Sequence, residues 1–320
     1  MNFSVHWGVR VLKKRSVFLL FLIISGVPLA CADDRAYIVI LGVAQDGGYP
    51  QTGCFRPHCE PAWQDPKLRR TVSAIAAIDE PSRKKFLFDA TPDIGEQLYR
   101  LHRVAPEPVI PLSGVFLTHA HIGHYTGLMH FGHEAMGERD INVYAMPRMA
   151  SFLAKNGPWD QLVRFNNIKL QPLAHEKAIQ VSENIRVTPF LVPHRDEYSE
   201  TVGYRIDGPN KSAIFIPDID KWSKWDVDIR DLVRSVDYAL IDATFFDNNE
   251  LGGRDMSAVP HPFVSESMAL FKSLTRDEKS RVLFIHMNHT NPLLQNDSME
   301  RQQVLEKGFG VAFEGMRLEL

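Results

Sequence analysis

Short runs of apolar and β-branched residues recur along the chain, separated by polar segments or segments bearing Gly and Pro. Runs of this length and composition predict strands over Ala36–Val43, Val72–Ile78, Lys85–Phe88, Val115–Leu117, Ile141–Ala145, Ile185–Leu191, Thr201–Ile206, Ala213–Ile216, Tyr238–Ile241 and Val282–Ile285. Between them, helices are predicted over Pro92–Val104, Leu128–Met136, Pro147–Lys155, Val264–Leu274 and Ser298–Lys307. The first carries its own start signal, Thr91 as N-cap with Pro92 at the first helical position. A strand-rich stretch followed by a mixed one occurs twice, with no internal repeat, low-complexity tract or linker. That order predicts a layered α/β sandwich, sheets inside and helices outside.

The N-terminus follows a different pattern. Arg10, Lys13, Lys14 and Arg15 precede an apolar run from Val17 to Ile24, then Gly26, Pro28 and Ala30-Cys31-Ala32. A basic start, a short apolar run and an A-x-A site predict a secretory signal over residues 1–32, cleaved after Ala32, because the run is too short to span hydrocarbon comfortably. An alternative makes Cys31 a lipidated N-terminus, but Pro28 stands where lipoprotein signals usually carry Leu. Cleavage leaves residues 33–320 as one large domain without a membrane span.

Composition narrows the class. With Lys+Arg 36 against Asp+Glu 39 and 44% hydrophobic residues, the chain can bury a substantial core. Loss of the signal removes four cations and no acid, moving the net charge from −3 to −7. Such a charge disfavours long polyanions, so a small-molecule substrate is expected and nucleic acid is not. The oligomeric state is not legible. Three cysteines are too few for a disulfide framework, whereas 13 histidines are many.

The histidines concentrate where chemistry is expected. After the apolar Val115-Phe116-Leu117 comes Thr118-His119-Ala120-His121-Ile122-Gly123-His124-Tyr125. In an extended segment residues two apart point the same way, so His119 and His121 can meet one cation, and a turn at Gly123 brings His124 to a second face. Neutral imidazole is the commonest transition-metal ligand, and a nitrogen-rich set suits zinc, iron or manganese better than magnesium. A polar loop with incidental histidines is the competing reading; three unpaired imidazoles beside a buried strand would be costly to desolvate. His130 and His133, three apart, are taken as a helix face.

This segment resembles the HxHxDH signature of the metallo-β-lactamase superfamily. Further landmarks follow in order: Phe86-Leu87-Phe88-Asp89-Ala90-Thr91-Pro92-Asp93, Val192-Pro193-His194, Ile214-Phe215-Ile216-Pro217-Asp218, Leu240-Ile241-Asp242-Ala243-Thr244-Phe245 and Phe284-Ile285-His286. Ala44-Gln45-Asp46-Gly47-Gly48-Tyr49-Pro50-Gln51 and His286-Met287-Asn288-His289-Thr290-Asn291-Pro292 are similar to the branch of that superfamily formed by the B proteins of pyrroloquinoline quinone biosynthesis. The resemblance implies an αβ/βα four-layer sandwich. It places His119, His121 and His194 on one divalent metal, His124 and His286 on a second, and Asp218 between them.

One position departs from the signature: Gly123 stands where the superfamily usually has Asp. Asp46 and Asp220 are the nearest groups to make up the lost carboxylate. Tyr125 is a candidate to orient substrate or to pack beneath the site, and His261, between Pro260 and Pro262, to contact substrate or cap the following helix. Cys54-Phe55-Arg56-Pro57-His58-Cys59 resembles the zinc knuckle of relatives, with Arg56 in place of a cysteine. His58 and His289 then complete a Cys2His2 structural zinc site; a Cys54–Cys59 disulfide is the alternative, with little entropic gain from so short a loop.

The expected function is hydrolysis of a small ester, lactone, lactam or phosphodiester by a metal-bound hydroxide, using one or two divalent ions, zinc foremost, with iron or manganese as alternatives. Iron-dependent oxidation or hydroxylation in quinone-cofactor biosynthesis and non-catalytic metal or ligand binding are the competing classes.

Overall fold

The computed structural model describes residues 35–252 and 254–320, with residues 1–4, 6 and 8. The predicted signal, residues 1–32, lies almost wholly outside the described residues. Residues Asp33–Leu320 form one compact unit.

Fourteen strands are described, in two seven-stranded sheets. The first contains β1 (Ala36–Gly42), β2 (Ala74–Asp79), β3 (Lys84–Phe88), β4 (Leu112–Phe116), β5 (Ile141–Ala145), β6 (Ile168–Pro172) and β14 (Arg317–Glu319), in the order β14-β1-β2-β3-β4-β5-β6. The second contains β7 (Ile179–Gln180), β8 (Arg186–Leu191), β9 (Val202–Asp207), β10 (Ser212–Ile216), β11 (Tyr238–Asp242), β12 (Val282–Ile285) and β13 (Gly310–Val311), in the order β13-β12-β11-β10-β9-β8-β7. Strands β3 to β6 run parallel to one another, as do β10 to β13.

Alternation along single strands explains the layers. In β1 every residue is buried, yet Ile38 and Ile40 join one apolar cluster while Tyr37, Val39 and Leu41 join another. The first cluster includes residues of both sheets, so it lies between them; the second includes residues of the helices α2 (Ile94–Val104), α4 (Pro147–Lys155) and α5 (Trp159–Arg164). A strand buried on both faces reads as an apolar run, which is why these strands were visible in the sequence. On the second sheet, α6 (Ile229–Arg234), α7 (Val264–Leu270) and α9 (Met299–Glu306) contribute Ile229, Val233, Val264, Met268 and Val304 to the core. Three shorter helices, α1 (Glu60–Gln64), α3 (Ile122–Tyr125) and α8 (Arg276–Ser280), sit in connections. The result is the expected αβ/βα four-layer sandwich.

Aromatic packing ties the sheets together beneath the histidine loop. Phe116 stacks on Tyr144 with ring centroids 4.2 Å apart and on Phe88 at 4.9 Å, and Tyr204 from the opposite sheet meets Phe88 edge-on at 5.4 Å. Such pairs are each worth roughly 0.5–1.5 kcal/mol beyond their buried area. The Tyr204 hydroxyl donates to the Leu117 carbonyl at 2.5 Å, pinning the residue that leads into Thr118 and His119.

Several element boundaries differ from the sequence expectation. The helix expected from Pro92 begins at Ile94: the Thr91 hydroxyl accepts from the Asp93 backbone N–H, and the Asp93 carboxylate accepts from Val72 N at 2.8 Å. The helix expected over Leu128–Met136 is a 3-10 turn over Thr126–Phe131, ended by the extended backbone of Gly132, so His130 and His133 do not share a regular helix face. Helix α7 continues as a 3-10 turn over Phe271–Ser273.

Candidate metal centre

The carboxyl ends of the parallel strands converge on one edge of the sandwich, the place where open α/β sheets hold ligands. β3 leads to Asp89, β4 to His119 and β10 to Asp218, β11 ends in Asp242 and β12 leads to His286. Two longer connections close over this edge. Met287 N donates to Val43 O and Gln45 N to Met287 O, both at 2.8 Å, so the loop after β1 is stitched to the loop after β12. That pairing brings Asp46 beside His286, and Cys54 and Cys59 beside His289.

His119, His121, His194 and Asp218 present one ligand atom each within 4.8 Å of one another. Asp218 Oδ2 lies 3.3 Å from His119 Nε2, 3.2 Å from His194 Nε2 and 3.8 Å from His121 Nδ1. The same oxygen is 3.9 Å from His124 Nε2, placing Asp218 between this set and a second. The second set is Asp46, His124 and His286, with Asp46 Oδ1 3.3 Å from His124 Nε2 and 4.0 Å from His286 Nε2. All six sequence-predicted ligands of the centre are therefore brought together. Asp220 is not among them: its Oδ1 lies 3.2 Å from His194 Nδ1, the nitrogen turned away from the cluster, and its Oδ2 accepts from Lys224 Nζ at 2.7 Å.

Every histidine of the centre has its outer nitrogen engaged by protein. His124 Nδ1 donates to Asp89 Oδ2 at 2.7 Å and His121 Nε2 to Glu197 Oε2 at 3.0 Å. His119 and His286 share a three-residue arrangement. His119 Nδ1 donates to Thr118 Oγ1 at 3.0 Å, and that hydroxyl donates to Asp89 Oδ1 at 2.9 Å. His286 Nδ1 donates to Thr244 Oγ1 at 3.0 Å, and that hydroxyl donates to Asp242 Oδ1 at 2.7 Å. Partners of this kind fix the tautomer and leave the inner nitrogen free as a ligand. Asp89 and His286 both have left-handed backbones, φ +65° and +66°, a local strain that clusters at functional sites.

The charges follow from burial and neighbours. Burial lowers the His119 and His286 imidazoles below their ordinary value. Burial also opposes the charged form of His124, but Asp89 and Asp46 more than offset it and raise the group well above its ordinary value. Burial would raise the carboxyl of Asp218; His261, His194, His119 and His121 together hold it well below the usual range. Asp46 is held low in the same way by His124 and His286. Such a set, inner nitrogens facing ionised carboxylates, has the donor chemistry of a site for two divalent cations. The fit has a direct mark: His124 Nε2, His286 Nε2 and Asp46 Oδ1 are buried without a hydrogen-bond partner.

His261 belongs to the centre rather than to the end of the following helix, whose N-cap is Phe263. Its Nδ1 is 3.1 Å from Asp218 Oδ1 and 2.9 Å from Asp242 Oδ2, and the ring is almost fully buried. Tyr125 corrects the substrate-orienting alternative and bears out the packing one. It is buried with its ring 4.8 Å from Trp159 and 5.5 Å from Phe152, in the cluster beneath the helices.

The knuckle residues also meet. Cys54, His58, Cys59 and His289 place ligand atoms within 4.8 Å of one another, with Cys54 Sγ 3.4 Å from His58 Nε2. Both cysteines are free thiols, so the disulfide alternative is not what the fold holds. Burial pushes the Cys59 thiol up to about 11. Beside the knuckle a cavity of about 450 Å³ is bordered by Gln51, Arg56, Phe245, Arg254 and Asn288.

The family description "Beta-lactamase superfamily domain" matches residues 84–287. Coenzyme PQQ synthesis protein B of Methylorubrum extorquens is 26% identical over 306 residues, covering 89% of this chain and 100% of that protein. The homologous protein of Xanthomonas campestris is also 26% identical, over 88% of this chain. Among solved structures, zinc-bound PqqB from Methylobacterium extorquens superimposes with a TM-score of 0.73 at 25% identity, over 89% of this chain and 100% of that one. A diphosphatase of the PhnP family shares the fold, with a TM-score of 0.61 at 23% identity, over 89% and 97%.

Proposed function

The chain belongs to the β-lactamase superfamily, and from that premise we propose that it is a metal-dependent hydrolase acting on a small ester, lactone, lactam or phosphodiester. One observation carries the reading: two adjoining ligand sets meet at Asp218, whose Oδ2 lies 3.9 Å from His124 Nε2, and the inner atoms of the second set are buried without a hydrogen-bond partner. His119, His121, His194 and Asp218 would hold one divalent ion, and His124, His286 and Asp218 a second, with zinc the expected element. Bound there, such ions acidify water and polarise the oxygen under attack.

The chain's own residues supply the rest. Asp89, Thr118, Thr244, Asp242, Glu197 and Asp220 hold the six-ligand set in one tautomeric arrangement. His261 lies within 3.1 Å of Asp218 and is the group placed to hold or deliver a proton next to the reacting centre. The cavity beside the knuckle, with Arg56 and Arg254 on its border, is of a size suited to a small ligand and favours one bearing an anionic group. The Cys54, His58, Cys59 and His289 set would take a structural zinc.

A second reading, iron-dependent oxidation or hydroxylation in quinone-cofactor biosynthesis, is favoured by the similarity to PQQ synthesis protein B over nearly the whole chain. Export is proposed from residues 1–32 alone; among the described residues no helix is long and apolar enough to cross a membrane. The deciding experiment is turnover of the metal-loaded protein on ester, lactone, β-lactam and phosphodiester panels, with and without oxygen. Anaerobic turnover is expected; turnover that requires and consumes oxygen would replace hydrolysis with the redox reading. N-terminal sequencing of the mature protein should begin at Asp33.

A further inference from the structure

Position 123 lies between two ligands, His121 and His124, and its backbone faces the loop after β1. A Cβ built on Gly123 would stand 2.2 Å from Asp46 Oδ1, 2.9 Å from Asp46 Cγ and 2.7 Å from Asp46 Cα. Real carbon atoms do not approach so closely, so a side chain at 123 and the Asp46 carboxylate exclude one another. The carboxylate that takes this space is aimed at the ligand cluster: Oδ1 faces His124 Nε2 at 3.3 Å and His286 Nε2 at 4.0 Å, and all three atoms are buried without a hydrogen-bond partner. Each of these side chains meanwhile has its other polar atom engaged, Asp46 Oδ2 by Gln45, His124 Nδ1 by Asp89 and His286 Nδ1 by Thr244. A buried polar atom without a hydrogen bond costs roughly 1–3 kcal/mol; His124 Nε2 and Asp46 Oδ1 face each other only at ion-pair distance, and a cation shared with His286 Nε2 would satisfy all three atoms together.

We propose that Asp46 is the carboxylate ligand belonging to the second metal position alone, and that Gly123 is glycine so that this carboxylate can enter. The assignment rests on reading the cluster as a two-ion centre. It makes the second position a composite, one histidine from α3, one from the end of β12 and one carboxylate from the loop after β1. That loop is held by backbone bonds: Gln45 N donates to Met287 O at 2.8 Å, and Tyr49 and Arg70 exchange N–H to carbonyl bonds at 2.9 and 2.8 Å. Asp46 is therefore delivered by a fixed backbone. Asp220, the other acid near the centre, serves the outer nitrogen of His194 and so belongs to the first position.

The test is zinc stoichiometry and affinity, by elemental analysis and calorimetric titration of the purified protein, with circular dichroism as a check on folding. The wild type should bind three zinc ions, one of them in the knuckle. Loss of an outer partner of a ligand typically weakens a metal about 10–100-fold, and removal of the ligand charge in Asp46→Asn should cost at least about 100-fold at one site, leaving two ions. Gly123→Ala should lose the same ion, because its methyl displaces the carboxylate, whereas Asp220→Asn should weaken the other catalytic ion. Retention of three tightly bound ions by Asp46→Asn would overturn the ligand assignment, and retention by Gly123→Ala would overturn the role given to glycine. A wild type without a second catalytic ion would overturn the two-ion reading and this assignment together.

Discussion

Asp89 Oδ2 and His124 Nδ1 are 2.7 Å apart, and neither side chain has any exposed surface. Asp89 also accepts from Thr118 N at 2.8 Å and from the Thr118 hydroxyl, which carries the contact on to His119. One carboxylate at the end of β3 therefore orients a ligand of each metal position. Asp89→Asn keeps the shape and removes the charge, so it is predicted to weaken both catalytic ions by about 10–100-fold and to destabilise the fold by about 2–4 kcal/mol through the disturbed buried network. Zinc titration and urea denaturation check this, and a loss confined to one ion would contradict the shared role.

How far these relationships were visible in the sequence depends on their range. His119 and His121 point the same way because they alternate on an extended segment, and His194, Asp218 and His286 follow apolar strand runs whose ends could be read off. The outer partners could not. Thr118 and Thr244 are ordinary threonines until the fold brings each between a carboxylate and a ring, and Glu197 meets His121 across 76 positions of chain. Tyr125 adjoins His124 in sequence, but the turn of α3 rotates consecutive side chains by about 100°, which sends its ring to Trp159 instead of the centre. Strands β7, β13 and β14 have two or three residues each, too few to show a period, and form by pairing with strands already in place.

The knuckle shares both of its loops with the centre. Cys54 and Cys59 follow Asp46 on one connection, and His289 lies three residues past His286 on the other. A metal joining the four residues would clamp these connections together, so Cys59→Ala is predicted to lose the knuckle zinc and, with it, about tenfold affinity at the second catalytic position, while the His119, His121, His194 set is spared. Free thiols should be titratable by a disulfide reagent only after chelation, in a ratio of two per mature chain. A protein whose thiols stay unreactive after chelation and reappear on reduction would instead contain a disulfide.

His261 touches Asp218 and Asp242, a trio whose ligand atoms also lie within 4.8 Å of one another, and it belongs to neither the three-histidine nor the two-histidine set. If it handles a proton for the reaction, His261→Gln should retain the full metal content and lose about 10²–10⁴-fold in turnover, falling mainly on kcat and removing one limb of the pH–rate profile. Loss of a metal ion with the activity would make His261 a ligand, and unchanged turnover would remove it from the mechanism.

Glu250 gives a pH dependence of opposite sign to the usual carboxylate. It sits in the connection after β11, accepting from Phe246 N at 2.5 Å and from the Thr290 hydroxyl, and burial pushes its carboxyl from 4.5 up to about 7. Between those values the folded chain holds a proton that the unfolded chain has released, so stability falls as pH rises through this window and the cost is complete above it. A shift of this size corresponds to at most about 3 kcal/mol. Glu250→Gln retains the shape with no proton to lose, and its amide can face the Thr290 oxygen while its carbonyl accepts from Phe246. The variant should therefore match the wild type near pH 4.5 and exceed it in unfolding free energy by about 2–3 kcal/mol at pH 8. Urea denaturation of both proteins at a series of pH values checks this; a gap that is constant with pH, or one that widens toward acid, would show that Glu250 is ionised in the fold at neutral pH.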